Sequence, residues 1–455
     1  MFNEKMLESA KKLHFIGIGG SGMFPIVQIL ESQGYEITGS DNNESDTLEL
    51  VRKMGIPVFL GHDAENINGA DMIIYSAAIS PENPERTEAL KLGIPAVERS
   101  DVLGYITRRY KNSICISGTH GKTSTTAMLT HVLVSAGLDP TAVIGGKLPL
   151  IGGYGRAGKS DIMTCEACEF VDTFLKLSSD ISVILNVDAD HLDYFKTLDN
   201  VIASFRKFAE NTSRVVIVNG DDKNAMKAVD KITGKKIVTF GFSDKNDYYP
   251  ENIRRSGPAG SAFDLMCRGE KLTELEIGIP GIHNVSNAVA AFIAALEAGL
   301  TPEMMSKHFP GFSGAGRRFE VLGKRGGVTV VDDYAHHPLE IEATLKVAKA
   351  MGYNAVWAVF QPFTYSRTKL LLEQFADALK IADRVVMSEI MGGREKNTYN
   401  IHTCDLAELI PGSVWFPGFP EIAKYVMENA SKGDLVITLG CGDIYKCAKM
   451  MLQDK

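Results

Sequence analysis

The sequence predicts an α/β protein of three successive domains, each built on a sheet of mostly parallel strands covered by helices. Three observations carry this reading. The 455 residues amount to about three domains of ordinary size. Short apolar runs alternate with segments of helical periodicity along the whole chain. The alternation restarts twice, so the expected domains are 1–110, 111–316 and 317–455.

In the first domain, 13–17 reads as a strand and 23–33 as its helix. Further strands are expected at 35–39, 71–75 and 94–97. A helix follows the turn at 81–84, and another, over 101–109, closes the unit. In the second, strand 113–117 leads through a Gly-rich turn into a helix that ends at Gly137. Strands follow at 161–166, 181–187, 215–219 and 237–240, and the polar stretch 243–260 is expected to hold hairpin loops. Helices over 284–299 and 302–308 complete it, and 314–319 reads as a hinge. The third domain has strands at 327–333, 355–360, 384–388 and 434–439, with helices from Pro338 and over 366–380.

Composition narrows the function. Apolar residues make up 45% and charged residues 23%, an ordinary globular profile. Forty-eight Lys and Arg against 56 Asp and Glu give a net charge of −8 without a block of like charges. This argues against a nucleic-acid groove or a polybasic membrane anchor. The longest apolar stretch, 288–296, stops at Glu297, short of the ~20 residues of a membrane span. Glu4 and Glu8 among the first lysines do not read as a signal peptide. Seven cysteines, sparse and odd in number, point to a reducing cytoplasm rather than a disulfide framework.

Gly17-Ile-Gly19-Gly20-Ser21-Gly22 falls between the first strand and its helix, with Asp41 about twenty residues on. Glycines there let the backbone approach a diphosphate, and the helix N-terminus offers unpaired N–H groups. The first domain is therefore expected to be Rossmann-like. The motif indicates a diphosphate without saying which nucleotide, so an NAD-dependent oxidoreductase stays open, as does a tight turn with no ligand.

Gly118-Thr119-His120-Gly121-Lys122-Thr123-Ser124 also joins a strand to a helix and resembles a P-loop. Lys122 can reach β- and γ-phosphates, and Thr123 can bind Mg²⁺. The first glycine of the general pattern is absent, since position 116 is Ile116. A central P-loop ATPase domain with a mostly parallel sheet follows from this setting. Glu166 ends one later strand, and Asp188-Ala-Asp190-His191-Leu-Asp193 follows another. Ligands collect at the carboxyl ends of parallel strands, so Glu166 and His191 join Thr123 as candidate Mg²⁺ ligands on ATP. Alone, each reads as a helix cap or surface residue.

Cys165-Glu-Ala-Cys168 has zinc or redox spacing but no second pair, and reads as small residues flanking Glu166. Asn284 and Asn287 share a helix face where amides can meet an adenine edge, with an N-cap as the alternative for Asn284. In the third domain, also expected to be Rossmann-like, Asp332-Asp333-Tyr-Ala-His336-His337-Pro338 ends a strand and opens a helix. Two carboxylates and two imidazoles so close are costly to bury idle, although one of the four can cap the helix. Gly440-Cys441-Gly442-Asp443 marks the same sheet edge. Arg317, Arg318 and Arg367 are candidates for anion contacts, with solvated surface arginines as the alternative.

Six motifs occur in order: Gly-x-Gly-Gly-Ser-Gly-Met from 17, Gly-Thr-His-Gly-Lys-Thr from 118, Asp-His-Leu-Asp from 190, His-Asn-x-x-Asn from 283, Gly-x-x-Arg-Arg-Phe-Glu from 314 and Asp-Asp-Tyr-Ala-His-His-Pro from 332. Together they closely resemble the ATP-dependent muropeptide ligases, from about residue 13 to residue 445. The resemblance implies a cytoplasmic carbon–nitrogen ligase of peptidoglycan precursor synthesis. Within the family it implies the branch that joins L-alanine to the carboxylate of UDP-N-acetylmuramate through an acyl phosphate. A sister branch that couples the same sugar nucleotide to a recycled peptide is the nearest alternative.

The same resemblance implies that Gly17, Gly19, Gly20, Ser21 and Gly22, with Asp41, His62 and Ser76, hold the UDP-sugar. Gly118, Thr119, His120, Gly121, Lys122, Thr123, Ser124, Asn284, Asn287, Arg318 and Asp333 would bind ATP. Lys122, Glu166 and His191 would be catalytic, with Thr123, Glu166 and His191 on Mg²⁺, and His336 and Arg367 would seat the amino acid. A monomer or homodimer is expected, with no nucleic acid and no membrane insertion. Three positions depart from the family pattern. Phe205 stands where later-acting ligases carry a carbamylated lysine, Phe363 and Thr364 where many members have His and Arg, and Cys168 where an aspartate is common.

Overall fold

The computed structural model describes residues 4–257, 260–393 and 395–453. The first sheet holds β1 (Lys12–Ile16), β2 (Glu36–Asp41), β3 (Val58–Leu60), β4 (Met72–Tyr75) and β5 (Ala96–Glu98). All pairings are parallel, in the order β3-β2-β1-β4-β5. The strand order reverses at β1, so the loop leaving β1 opens at a topological switch point. Helices cover both faces, which is why β1 reads as an almost unbroken apolar run, with Leu13, Phe15 and Ile16 all buried. β3 and the helix Asp46–Lys53 escape sequence reading because Phe59 and Leu60 are exposed on a three-residue strand with no alternation.

The second sheet holds β6 (Asn112–Ser117), β7 (Thr141–Leu148), β8 (Gly153–Arg156), β9 (Ile162–Glu166), β10 (Ile181–Ile184), β11 (Val215–Asn219), β12 (Lys236–Phe240), β13 (Tyr248–Ser256), β14 (Gly260–Cys267) and β15 (Glu270–Ile277). Its order is β15-β14-β13-β12-β11-β10-β6-β9-β7-β8. The middle is parallel, while β13–β15 and β7–β8 are antiparallel. The stretch 243–260, expected as hairpin loops, instead contains the strand β13, whose outer half is exposed and so lacks an apolar signature; residues 258 and 259 lie outside the described residues. The strand expected over 181–187 ends at Ile184. Helix Lys122–Ser135 packs against helix Ile282–Glu297, whose Ala-rich face allows close approach.

The third sheet holds β16 (Glu320–Arg325), β17 (Val328–Asp333), β18 (Val356–Phe360), β19 (Arg384–Ser388), β20 (Val414–Phe416) and β21 (Leu435–Leu439), in the order β16-β17-β21-β18-β19-β20. Only β16 is antiparallel. The single helix expected over 366–380 is two, Tyr365–Leu370 and Leu372–Leu379, because Leu371 at φ −112 and ψ 25 leaves the helical region.

The first two sheets belong to one compact unit, residues 1–278 with 282–313, and the third to another, 279–281 with 314–455. Inside the first unit, helix Phe24–Ser32 lies on the β7–β8 hairpin, where a Cβ on Gly155 would come 2.5 Å from Pro25 Cβ. Lys176 joins the same two sheets, 2.9 Å from Ser100 Oγ and 3.0 Å from Asp101. No helix among the described residues is long and apolar enough to cross a membrane.

Candidate active site

The first glycine segment turns off the end of β1. Gly17 adopts φ +81, and its N–H and that of Ile18 donate to the Ser40 carbonyl at 2.8 and 3.0 Å. The Gly19 N–H donates to Asp41 Oδ2 at 2.9 Å, and a Cβ there would sit 2.9 Å from the same oxygen, so a side chain would displace the Asp41 carboxylate. Asp41, expected on the ligand, thus braces the loop; its Oδ1 accepts from the Asn43 N–H at 3.1 Å. Ser76 lies beside Gly17, its Cβ 3.7 Å from where a Gly17 Cβ would be. His62 Nδ1 stands 3.1 Å from Ser40 Oγ and 3.2 Å from Glu85 Oε2. Burial alone would raise the Glu85 carboxyl, but bonds from His14, Asn66 and Ser40 more than offset it and hold it below the usual range. Glu85 and His14 were not legible as a pair, since 70 intervening residues carry no local signal of their contact.

The second glycine loop leaves β6 and opens helix Lys122–Ser135. Gly118 and Gly121 adopt φ +143 and +85, conformations that favour glycine. A Cβ on Gly121 would meet Asn287 Oδ1 at 2.8 Å, and Asn287 Nδ2 donates to Asn284 Oδ1 at 3.1 Å. Both asparagines therefore sit at this loop. The His120 N–H donates to Asn186 Oδ1 at 2.8 Å, Asn186 returns a bond to the His120 carbonyl at 3.1 Å, and Thr119 Oγ1 accepts from the Asp188 N–H at 2.9 Å. These bonds fix the loop to the chain leaving β10. Thr123 is buried in the first helical turn with Ser124 half-buried beside it.

Lys122 Nζ donates to the carbonyls of Gly118 and Thr119 and to Glu169, at 2.9 Å to Oε2 and 3.2 Å to Oε1. Burial opposes the ammonium charge most strongly, yet Glu169 together with Cys168 and Glu166 outweighs it and lifts Lys122 above the usual lysine value. Glu166, at the end of β9, accepts the Gly145 N–H at 2.8 Å. His191 adopts φ +54, with Nε2 3.7 Å from Asp190 Oδ2 and its ring 4.7 Å from Phe170. The side chain of Asp193 lies outside the described residues. Glu169, Asn186 and Phe170 were missed in the sequence; only the second acid of Glu166-Ala-Cys168-Glu169 could have drawn notice. Cys165 pairs across strands with Cys115 rather than with Cys168, and both are buried thiols. Phe205 is fully buried against Phe174, ring centroids 5.2 Å apart, so its position is core.

In the second unit Asp333 ends β17 and accepts the N–H groups of Phe319 and Ala335 at 2.7 and 2.8 Å. Burial pushes its carboxyl up to about 6, against the opposing charge of Arg318. Arg317, expected as an anion contact, is a structural pin: Nε donates to Asp332 at 2.8 Å, and the guanidinium also reaches the carbonyls of Gly440 at 2.6 Å and Gly442 at 3.0 Å. Arg318 lies 5.1 Å over the Tyr334 ring. His336 Nδ1 is 3.1 Å from the Tyr334 carbonyl and 3.3 Å from Glu340, while His337 caps helix Pro338–Ala350. Arg367, on helix Tyr365–Leu370, acts electrostatically on Cys441, whose thiol burial pushes up to about 12. Phe363 and Thr364 pack at Gly393, each 3.3 Å from its Cβ position.

A glycine cradle closed by a buried, charged lysine is the hallmark of proteins that grip nucleoside polyphosphates, and a second glycine turn on a separate parallel sheet adds room for another diphosphate. That defines the class: a multidomain enzyme working on two phosphorylated ligands. Comparison with known proteins is more specific. Residues 12–111 match the Mur ligase family catalytic domain, 116–295 the Mur ligase middle domain and 317–442 the glutamate ligase domain of Mur ligases. The chain belongs to the Mur ligase family. It is 42% identical over 452 residues to the UDP-N-acetylmuramate–L-alanine ligase of Acetivibrio thermocellus, covering 98% of this chain and 96% of that protein. The enzyme of the same name from Caldanaerobacter subterraneus is also 42% identical, with 98% of each covered. Among solved structures, the UDP-N-acetylmuramate–alanine ligase of Thermotoga maritima superposes with a TM-score of 0.84 at 29% identity, covering 97% of this chain and 98% of that one. A murein peptide ligase from Psychrobacter arcticus shares the fold at a TM-score of 0.76 and 21% identity, covering 97% and 98%.

Proposed function

We propose that this enzyme joins L-alanine to the carboxylate of UDP-N-acetylmuramate at the expense of ATP, in cytoplasmic peptidoglycan precursor synthesis. The observation that carries this reading is the 42% identity to alanine-adding ligases across nearly the whole chain. In this proposal residues 1–110 take the UDP-sugar, through Gly17–Gly22 with His62 and Ser76. Residues 111–316 take ATP, and 317–455 the amino acid, through His336 and Arg367.

The muramoyl carboxylate attacks the γ-phosphorus of ATP in line, the bond to the β,γ-bridging oxygen breaks, and ADP leaves. The amine of alanine then attacks the acyl phosphate, and the tetrahedral adduct expels inorganic phosphate as the amide forms. Direct condensation of a carboxylate with an amine is uphill in water; phosphorylation supplies both driving force and a leaving group. Lys122 neutralises charge on the migrating phosphoryl group, while the loop N–H groups position it. Asn284 and Asn287 present amides beside the loop for the adenine. Thr123, Glu166 and His191 offer a hydroxyl, a carboxylate and an imidazole, a sparse oxygen-rich set that suits Mg²⁺ completing its shell with phosphate and water. Bound there, Mg²⁺ would supply further charge neutralisation.

The test is ADP release with UDP-N-acetylmuramate against a panel of amino acids and peptides. L-Alanine-dependent turnover is expected; turnover with peptides alone would assign the enzyme to the peptide-coupling branch instead. For Lys122→Ala, turnover should fall by about a thousandfold or more while UDP-N-acetylmuramate binding, read by calorimetry, persists.

A further inference from the structure

The ammonium of Lys122 is saturated by protein acceptors. It has three N–H donors, and four protein oxygens compete for them: the Gly118 and Thr119 carbonyls and both oxygens of Glu169. The Glu169 side chain is 2% exposed and the Lys122 side chain 14%, so the pair is shielded from water. Glu166 and Cys168 also face Lys122 electrostatically, but Glu169 acts on it most strongly. A phosphate oxygen must therefore take a donor from one of these acceptors. The two carbonyls are part of the loop itself; the carboxylate alone carries a charge that repels phosphate.

The backbone that presents Glu169 is unusual. Val171 and Asp172 adopt φ +53 and +56, and a β-branched residue in that region is an outlier that persists only where its surroundings fix it. The fixing contacts are visible. Asp172 accepts the Tyr194 hydroxyl at 2.8 Å and a bond from Ser204, and Phe170 lies 4.7 Å from the His191 ring. Glu169 thus meets Lys122 while the next residue, Phe170, meets His191, and Asp172 ties the far end of the segment to Tyr194 and Ser204.

We propose that Glu169 is a positioning residue for Lys122: an internal counter-ion that holds the ammonium aimed at the loop and yields it to the incoming phosphate. Nucleotide binding is then an exchange of one anion for another. The inference rests on the reading of Gly118–Ser124 as the phosphate cradle.

The test compares Glu169→Gln, Glu169→Asp and Lys122→Ala by calorimetric titration with ADP and by steady-state turnover, with thermal melting as a control for folding. Gln keeps the acceptor but removes the competing charge, so ADP should bind about tenfold tighter, the scale of one charge-assisted hydrogen bond, while kcat falls. Asp withdraws the carboxylate by one methylene and should tighten ADP by an intermediate factor, which keeps the test open should the Gln variant melt early. A residue with only a structural role would weaken ADP binding and turnover together. Unchanged or weaker ADP binding in a folded Glu169 variant overturns the inference. If Lys122→Ala binds ADP as the wild type does, the cradle reading itself falls, which is a separate result.

Discussion

Single residues in this enzyme show how sharply environment sets chemistry. Asp332 and Asp333 are neighbours in β17, yet one is paired with Arg317 and the other is buried beside two backbone N–H donors. Burial lifts Asp333 from the usual 3.8 to about 6. The folded protein therefore holds this proton more tightly than the unfolded chain. The group favours folding below the unfolded value and loses that advantage as pH rises from about 4 to about 6. The stability difference between Asp333→Asn and wild type should then shift in favour of the variant by about 2 kcal/mol from pH 4 to pH 7. Denaturation at the two pH values checks it, and a difference independent of pH would contradict it. Gly19 gives a second residue-scale prediction. Gly19→Ala pushes a Cβ onto Asp41 Oδ2 and should weaken UDP-N-acetylmuramate binding by about tenfold or more, leaving ADP binding unchanged in the same titrations.

At the scale of elements, what was legible in the sequence follows burial. β6, β10, β11, β17, β18 and β21 are covered on both faces, and their apolar runs were readable with ends accurate to a few residues. β7 and β8 were not, because Gly145, Gly146, Gly153 and Gly155 remove the side chains that a pattern needs. Those glycines have a reason: Gly145 clears space for the Glu166 carboxylate and Gly155 for Pro25. The site divides in the same way. Lys122, Glu166 and His191 were visible because loops after strands announce them, whereas Glu169 and Asn186 act through contacts that only the folded chain creates. The helix Leu198–Asn211 carries a further test. Phe205 is sealed against Phe174 and Phe208, so Phe205→Lys should cost about 4 kcal/mol of stability, read as a lowered melting temperature, without creating a carbamylated lysine detectable by mass.

Across the whole molecule, three sheets present the carboxyl ends of their parallel strands to loops rich in glycine and charge. The net charge of −8 shows that attraction for anionic ligands is local to those loops rather than global. The family match runs through all three. The central claim is that the γ-phosphoryl group passes to the muramoyl carboxylate before the amine attacks. Turnover of UDP-N-acetylmuramate carrying oxygen-18 in that carboxylate, with ATP and L-alanine, tests it directly. Label should appear in the released inorganic phosphate; unlabelled phosphate at full turnover would contradict acyl-phosphate formation.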